Sequence, residues 1–357
     1  MSKKALIAMS GGVDSSVAAL LMKEKGYECI GVTMKLYENE DIGISREKTC
    51  CSLDDIEDAR MVAYRIGIPY SVVNFKDDFK ERVVDKFVDS YLKGRTPNPC
   101  IDCNRYLKFE HLYQKAKELE CDVIVTGHYS RIEFDGSQYQ LKRAVDPTKD
   151  QSYVLYSLTQ EQLAHTMFPL GELTKEQVRE IAKAHDFINS AKKDSQDICF
   201  IPDGNYKRFM EDSYQIKIGP GEFVDRDGNV LGTHQGYYGY TIGQRKGLGI
   251  AAEKPYYVVD ILPEQNRVVL GSNEDLFRKA LIAEDVNWIE ELASEDQVIQ
   301  AKVLYRQSAQ NANLKRLEGN RIRVEFEEPQ RAITGGQAVV LYQGDRFLGG
   351  GTITQVD

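Results

Sequence analysis

The first 130 residues alternate short, β-branched apolar runs with longer segments whose apolar positions recur every three or four residues. Apolar runs of four to eight residues bounded by turn formers predict strands, and the 3.6-residue period predicts helices buried along one face. The expected strands are Ala5–Met9, Cys29–Met34, Tyr70–Phe75 and Asp122–Thr126. The expected helices are Ser15–Lys25, Asp54–Ile66, Asp78–Leu92 and Phe109–Leu119. This alternation predicts an α/β fold with a doubly wound parallel sheet. Helical spacing continues over Thr159–Met167 and Thr174–Ala184, then glycines punctuate the chain, as in Gly219-Pro220-Gly221 and Asp227-Gly228-Asn229. That texture predicts a small turn-rich domain. From Leu281 onward, runs such as Gln300–Tyr305, Arg321–Phe326 and Ala338–Tyr342 predict a closing β-barrel. We divide the chain into 1–204, 205–275 and 276–357.

Composition narrows the setting. The 357 residues are enough for two or three domains with real cores. No apolar run reaches the roughly 18 residues of a membrane helix, so no membrane partner is expected. Lys3-Lys4 followed by Ala5–Met9 is too short an apolar stretch for a secretory leader. Seven cysteines, an odd number, point to reduced thiols and a cytoplasmic location rather than a disulfide framework. A net charge of −9 runs against the basic footprint of a nucleic-acid binder. Short basic clusters nonetheless recur at Lys142-Arg143, Lys192-Lys193, Lys207-Arg208, Arg245-Lys246 and Lys315-Arg316, and these could line one face.

The first strand runs straight into Ser10-Gly11-Gly12-Val13-Asp14-Ser15-Ser16 and a helix. Two glycines clear room for a phosphate, while backbone amides, serine hydroxyls and the helix N-terminus supply donors and positive potential. The loop lacks the Gly-Lys-Ser/Thr ending that grips a terminal phosphate, so simple γ-phosphate hydrolysis is not indicated. The bland alternative is a tight turn capped by Asp14 and Ser15. Gly127-His128 should end a strand at the carboxyl edge of the sheet, where doubly wound folds bind ligands.

SGGVDSS resembles the loop of ATP pyrophosphatases, which adenylate a substrate oxygen and release pyrophosphate. Five further motifs extend the likeness over essentially the whole chain: Gly94–Asn104, Thr126–Tyr129, Lys149–Tyr153, Asp194–Phe200 and Gly239–Gly249. Together they resemble the tRNA-specific 2-thiouridylase family. The resemblance implies ATP-dependent 2-thiolation of the wobble uridine of tRNA, with Mg²⁺ offsetting phosphate charge. It implies that Cys103 and Cys199 are the catalytic pair. Cys199 would carry a persulfide, and Cys103 would attack it to free sulfide or would form the disulfide left after transfer. It implies ATP contacts at Ala8, Met9, Ser10, Gly11, Gly12, Val13, Asp14, Ser15, Met34 and Gly127. It implies tRNA contacts at Asn98, Pro99, Cys100, His128, Lys149, Asp150, Gln151, Tyr305, Arg306 and Gln337. The sulfur would come from a donor protein, a cysteine desulfurase or a sulfur-relay carrier.

One position departs from the family pattern, in which an aspartate stands three residues before the catalytic cysteine. Here that residue is Cys100. Three thiolates, Cys100, Cys103 and Cys199, could then hold a 4Fe–4S cluster whose open iron carries the sulfur. A structural zinc on Cys100 and Cys103 would need two more ligands, with Cys50-Cys51 in a loop of uncertain reach. The thiols are expected on loops beside a basic site that lowers their pKa. Outside the thiolases, an adenylating amide synthetase acting on a small metabolite would use the loop and leave the two cysteines without work. A nucleotide-regulated RNA-binding protein would use the basic clusters alone.

Overall fold

The computed structural model describes residues 2–38, 53–194, 198–290, 294 and 296–357; Cys50 and Cys51 lie outside them. Strands β1 (Lys4–Ala8), β2 (Glu28–Lys35), β3 (Tyr70–Asn74) and β4 (Val123–Val125) form a sheet with the later strand Thr166–Met167, β7. The order is β3-β2-β1-β4-β7, and every neighbouring pair is parallel. Successive residues of a strand face opposite sides, and β1 shows the consequence. Ala5 and Ile7 join a core with helices α1 (Val13–Glu24) and α2 (Leu53–Ile66), whereas Leu6 joins a second core on the other face. The chain winds outward from β1 to β2 and β3, then returns to place β4 on the other side of β1. A switch point therefore opens above the carboxyl ends of β1 and β4.

Three helical expectations change. Residues 76–92 are one helix, with a wider π-wound stretch at Lys80–Asp85; we call it α3. Residues 99–118, α4, begin well before the expected Phe109, again with a π-wound stretch at Cys103–His111. Asn98 sets that start, because its side chain accepts from the Cys100 amide, and Pro99 sits at the first helical position. The expected helix Thr159–Met167 ends early, as α5 (Gln160–Ala164), and Thr166-Met167 instead pair with Ile124-Val125 as β7. Pairing with a buried strand overrides the local helical spacing there.

The turn-rich segment contains helix α7 (Tyr206–Tyr214), which follows α6 (Lys175–Ala184). It also forms a four-stranded sheet of β8 (Gly221–Val224), β9 (Val230–His234), β10 (Tyr257–Leu262) and β11 (Arg267–Gly271). The order is β10-β11-β8-β9, and the parallel β8–β11 pair makes the sheet mixed. Phe209, Phe223 and Tyr237 of this part share a core with Phe79, Phe87 and Tyr91 of α3.

The C-terminal strands are β12 (Phe277–Trp288), β13 (Asp296–Lys302), β14 (Gln310–Leu317), β15 (Arg321–Arg331), β16 (Ala338–Gln343) and β17 (Arg346–Val356). All their pairings are antiparallel, and pairing of β12 with β17 closes a six-stranded barrel. A hairpin from the first domain, β5 (Ser130–Phe134) and β6 (Tyr139–Arg143), adds to β17 at Arg346 opposite Lys142. That splice between distant parts of the chain has no signal in the periodicity. Among the described residues, no helix is long and apolar enough to cross a membrane.

Candidate active site

The Ser10–Asp14 loop sits at the switch point, at the start of α1. Gly11 has φ +74°, and a Cβ there would lie 2.3 Å from the Asp55 carbonyl oxygen, so only glycine fits. Gly12 is the N-cap residue and makes no side-chain cap hydrogen bond. The helix is therefore not closed by Asp14 and Ser15 as the bland reading required. Ser15 Oγ instead accepts from the Ser10 amide at 3.1 Å and donates to Gly12 O at 3.1 Å, which shapes the cradle. Gly127, after β4, comes so close that a Cβ would meet Ser15 N at 2.8 Å. Met9 is fixed by its amide bond to Val32 O at 2.8 Å and by Thr33 Oγ1 donating to Met9 O at 2.6 Å. Met34, half-buried, lies at the carboxyl end of the adjoining β2.

A knot of charge lies beside this loop. Lys175 Nζ reaches both Asp14 carboxylate oxygens at 2.8 Å and Asp194 Oδ1 at 2.7 Å. Lys149 and Arg179 also hold Asp194, at 2.7 and 3.0 Å, and Tyr129 donates to Asp14 at 2.8 Å. Partial burial opposes ionisation of Asp194, but bonds and charge from Lys149 and Lys175 bring it down to about 2. Asn189 donates to Gly11 O and Ser16 Oγ, both at 2.9 Å, and Lys192 Nζ lies between Asp55, Asp58 and Gly11 O.

The thiols sit differently from expectation. Cys103 is on helix α4, not a loop, and is half-buried. Burial raises its pKa; Lys108 opposes this and Asp102 adds to it, so the expected lowering does not hold. Asp102 is itself buried and paired with Lys86 at 2.5 Å. Cys199 lies in a turn closed by the Ile201 amide on Ile198 O at 2.9 Å, and its carbonyl accepts from Tyr37 at 2.9 Å. The neighbouring Phe200 anchors this turn against Phe79, Phe87 and Phe209, with ring centroids 5.6, 5.4 and 5.4 Å away. Both Cys103 and Cys199 pack on the edge of that one apolar core. Among the described residues, Cys103 and Cys199 are not joined in a disulfide in this state. Among the described residues, no three His, Cys, Asp or Glu side chains form a metal-holding group.

Most of the expected RNA contacts come together on one face, where the barrel meets the first domain. Gln337 Nε2 donates to Thr96 O at 2.8 Å and Pro97 O at 3.3 Å, holding the lead into Asn98-Pro99-Cys100. Exposed Cys100 lies within electrostatic reach of Tyr305, whose hydroxyl donates to Asp150 O at 3.3 Å; Arg306 is exposed beside it. Gln151 is tied to Tyr129 by paired bonds of 2.9 and 3.0 Å. His128 is the exception, being only 6% exposed. Its ring lies against Phe109 and Phe168, with Nδ1 2.7 Å from Thr126 Oγ1, and burial, with Lys108, pushes its pKa well down. In this conformation it is a neutral core imidazole with no face for RNA.

Three family models match the chain: a tRNA methyl transferase HUP domain over residues 3–203, a tRNA methyl transferase PRC-barrel domain over 207–272, and an aminomethyltransferase beta-barrel domain over 278–353. The tRNA-specific 2-thiouridylase MnmA of Clostridioides difficile is 52% identical over 99% of this chain and 98% of its own length. That of Carboxydothermus hydrogenoformans is also 52% identical, over 98% of this chain and 97% of its own. The chain belongs to the tRNA-specific 2-thiouridylase family. In this thiouridylase, Lys175, Arg179, Asn189, Lys192 and Asp194 crowd the phosphate loop, yet sequence reasoning assigned none of them to it. They come from a helix and turn more than 150 residues beyond the loop in sequence, and nothing in local spacing ties the two together. The available signals were the charge of Lys192-Lys193, read as a surface cluster, and the motif that begins at Asp194.

Proposed function

We propose that the chain thiolates C2 of the wobble uridine of tRNA, activating the base with ATP and taking sulfur from Cys199. The observation that carries this reading is the joint placement of a phosphate cradle at the sheet's switch point and of Cys103 and Cys199 on one adjoining core. Methyl transfer, the term in two of the family descriptions, leaves both without work.

The C2 oxygen of uridine is a poor leaving group and is first converted to an adenylate. It attacks the α-phosphorus, the α–β phosphoanhydride bond breaks, pyrophosphate leaves, and N3 gives up its proton. The cradle amides and Lys175 offset the charge that develops on the phosphates. Asp14 would hold a Mg²⁺ on exchanging Lys175, which now bonds both of its carboxylate oxygens, and the ion would further neutralise the departing pyrophosphate. The terminal sulfur of a Cys199 persulfide then forms the C2–S bond while the C2–O bond breaks and AMP leaves. Attack by Cys103 on the Cys199 sulfur cleaves the S–S bond, leaving 2-thiouridine and a Cys103–Cys199 disulfide. If Cys103 attacks first and frees hydrosulfide, the same disulfide results. Two thiols are oxidised as the transferred sulfur is reduced, and an external thiol restores them. The raised pKa of Cys103 makes it a thiol at rest, so it becomes a nucleophile only after losing a proton.

The target base must leave its stack, as single-stranded loops allow for a few kcal/mol. Asn98–Cys100, Lys149–Gln151, Tyr305-Arg306 and Gln337 form the face that receives it. A cysteine desulfurase or relay carrier supplies the sulfur, and the substrate places the reaction in the cytoplasm. Among the described residues Cys100, Cys103 and Cys199 do not form a metal-holding group, and no step is routed through a cluster. The test is radiolabelled ATP incubated with and without tRNA. AMP and pyrophosphate should appear only with tRNA and should be lost in Asp14→Asn; ADP, or tRNA-independent AMP, contradicts the reading.

A further inference from the structure

Lys302 ends β13, opposite Val340 of β16. Its neighbours Ala301 and Val303 are 1% and 0% exposed and fill the barrel, so alternation turns Lys302 outward, toward the first domain. There its ammonium stands 5.6 Å from the ring centroids of both Tyr153 and Tyr305. Tyr153 is fully buried, and its hydroxyl is committed to Ala338 O at 2.8 Å. Lys302 is half-buried, and among the described residues no carboxylate forms an ion pair with it. Burial lowers its pKa; Asp150 opposes this and Arg143 adds to it. Oδ1 of Asp150 accepts from Ser152 and the Ala144 amide, and Asp150 makes no ion pair with Lys302 among the described residues.

Most charged side chains near the site are paired: Lys175, Lys149 and Arg179 with Asp194, Lys86 with Asp102, Lys142 with Glu133. A partly desolvated ammonium that has only tyrosine faces is costly unless an anion completes it. Exposed Arg306 lies four residues further on, and Arg143 stands over Tyr342 at 4.4 Å on the same junction. The phosphate loop has cations of its own in Lys175 and Lys192, so ATP does not require this one.

We propose that Lys302 is a phosphodiester-binding residue, with Tyr153 and Tyr305 as its platform, which takes a backbone phosphate of the RNA next to the base being modified. This rests on the reading of tRNA as substrate. A bound phosphate fixes the register of the strand and so places the uridine over Cys100 and Asn98. The role is positioning, not catalytic.

The experiment measures binding of an unthiolated tRNA transcript to full-length wild type, Lys302→Gln and Lys302→Arg from about 50 to about 250 mM salt. Losing one phosphate contact should weaken binding by Lys302→Gln and lower the magnitude of its log–log salt slope by about 0.7–0.9. Lys302→Arg should keep the slope, and the KM for ATP should not change in either variant. An unchanged slope in Lys302→Gln with a lowered melting temperature makes Lys302 a packing residue and overturns the proposal. A raised KM for ATP with an unchanged slope assigns the anion to the nucleotide and overturns it too. Failure of wild type to bind tRNA at all removes the substrate reading itself, an outcome separate from a wild type that binds while the variant's slope stays the same.

Discussion

Cys100 is where the two sulfur chemistries part. As a bystander beside the pair it can be replaced; as a cluster ligand it cannot, since even changes around a metal ligand cost about 10–100-fold in affinity. Its thiol is exposed, and no metal-holding group forms around it among the described residues. Anaerobically purified Cys100→Ser should therefore keep most of its 2-thiouridine formation with a persulfide donor, and both proteins should lack acid-labile sulfide. A brown, active wild type beside a colourless, dead variant contradicts this. His128 carries a different residue-scale consequence. Its pKa is depressed below 6.5 by burial, so the unfolded chain binds a proton that the fold cannot. Above 6.5 both states are neutral and stability is unaffected; as pH falls below 6.5, stability is lost at up to about 1.4 kcal/mol per pH unit. Denaturant unfolding at descending pH should show that loss in wild type, with a shallower fall in His128→Gln, which retains a partner for Thr126. Equal slopes would mean that His128 titrates freely.

At the scale of elements, the phosphate loop separates two glycines that look alike in sequence. Gly11 is fixed by its left-handed backbone and the nearby Asp55 carbonyl, whereas a Cβ on Gly12 meets nothing closer than Ser10 Oγ at 3.5 Å. Gly11→Ala should cost more than about 1 kcal/mol of stability. Gly12→Val should melt near wild type and yet release no pyrophosphate, because its side chain fills the cradle. A stable, active Gly11→Ala removes the steric argument. The loop was legible because strand, glycines and helix start are contiguous. Cys103's place on a helix was not, because the signal that starts α4 is the cap Asn98 and Pro99, which also reads as a turn. Thr166-Met167 could not be read as a strand, since only its partner β4 makes it one.

On the scale of the whole molecule, the barrel completes the site. Gln337 and the Gly335 carbonyl, which accepts from Thr96 N at 2.9 Å, attach it to the segment that leads to Cys100, and the β6–β17 splice attaches it to the rest of the first domain. Gln337→Ala removes the two hydrogen bonds that Nε2 donates to Thr96 O and Pro97 O, worth about 1 kcal/mol in all. It should lower thiolation and tRNA affinity while leaving ATP binding by calorimetry unchanged; weakened ATP binding would show that the barrel shapes the nucleotide site instead. The order of parallel sheet, small domain and barrel was legible from periodicity and glycine texture. The charged knot at Asp14, Lys175 and Asp194 was not, because it is assembled from segments joined only by the fold.

The central claim is that one sulfur atom passes from Cys199 to an ATP-activated uridine. The most direct measurement charges the full chain with radiolabelled persulfide, removes the donor, and adds ATP and unthiolated tRNA in a single turnover. Label should leave Cys199 and appear in 2-thiouridine in step with AMP and pyrophosphate. Cys199→Ser should form AMP or adenylated tRNA and transfer no label. Label that stays on Cys199 while 2-thiouridine accumulates, or a Cys199→Ser protein that still thiolates, contradicts the account.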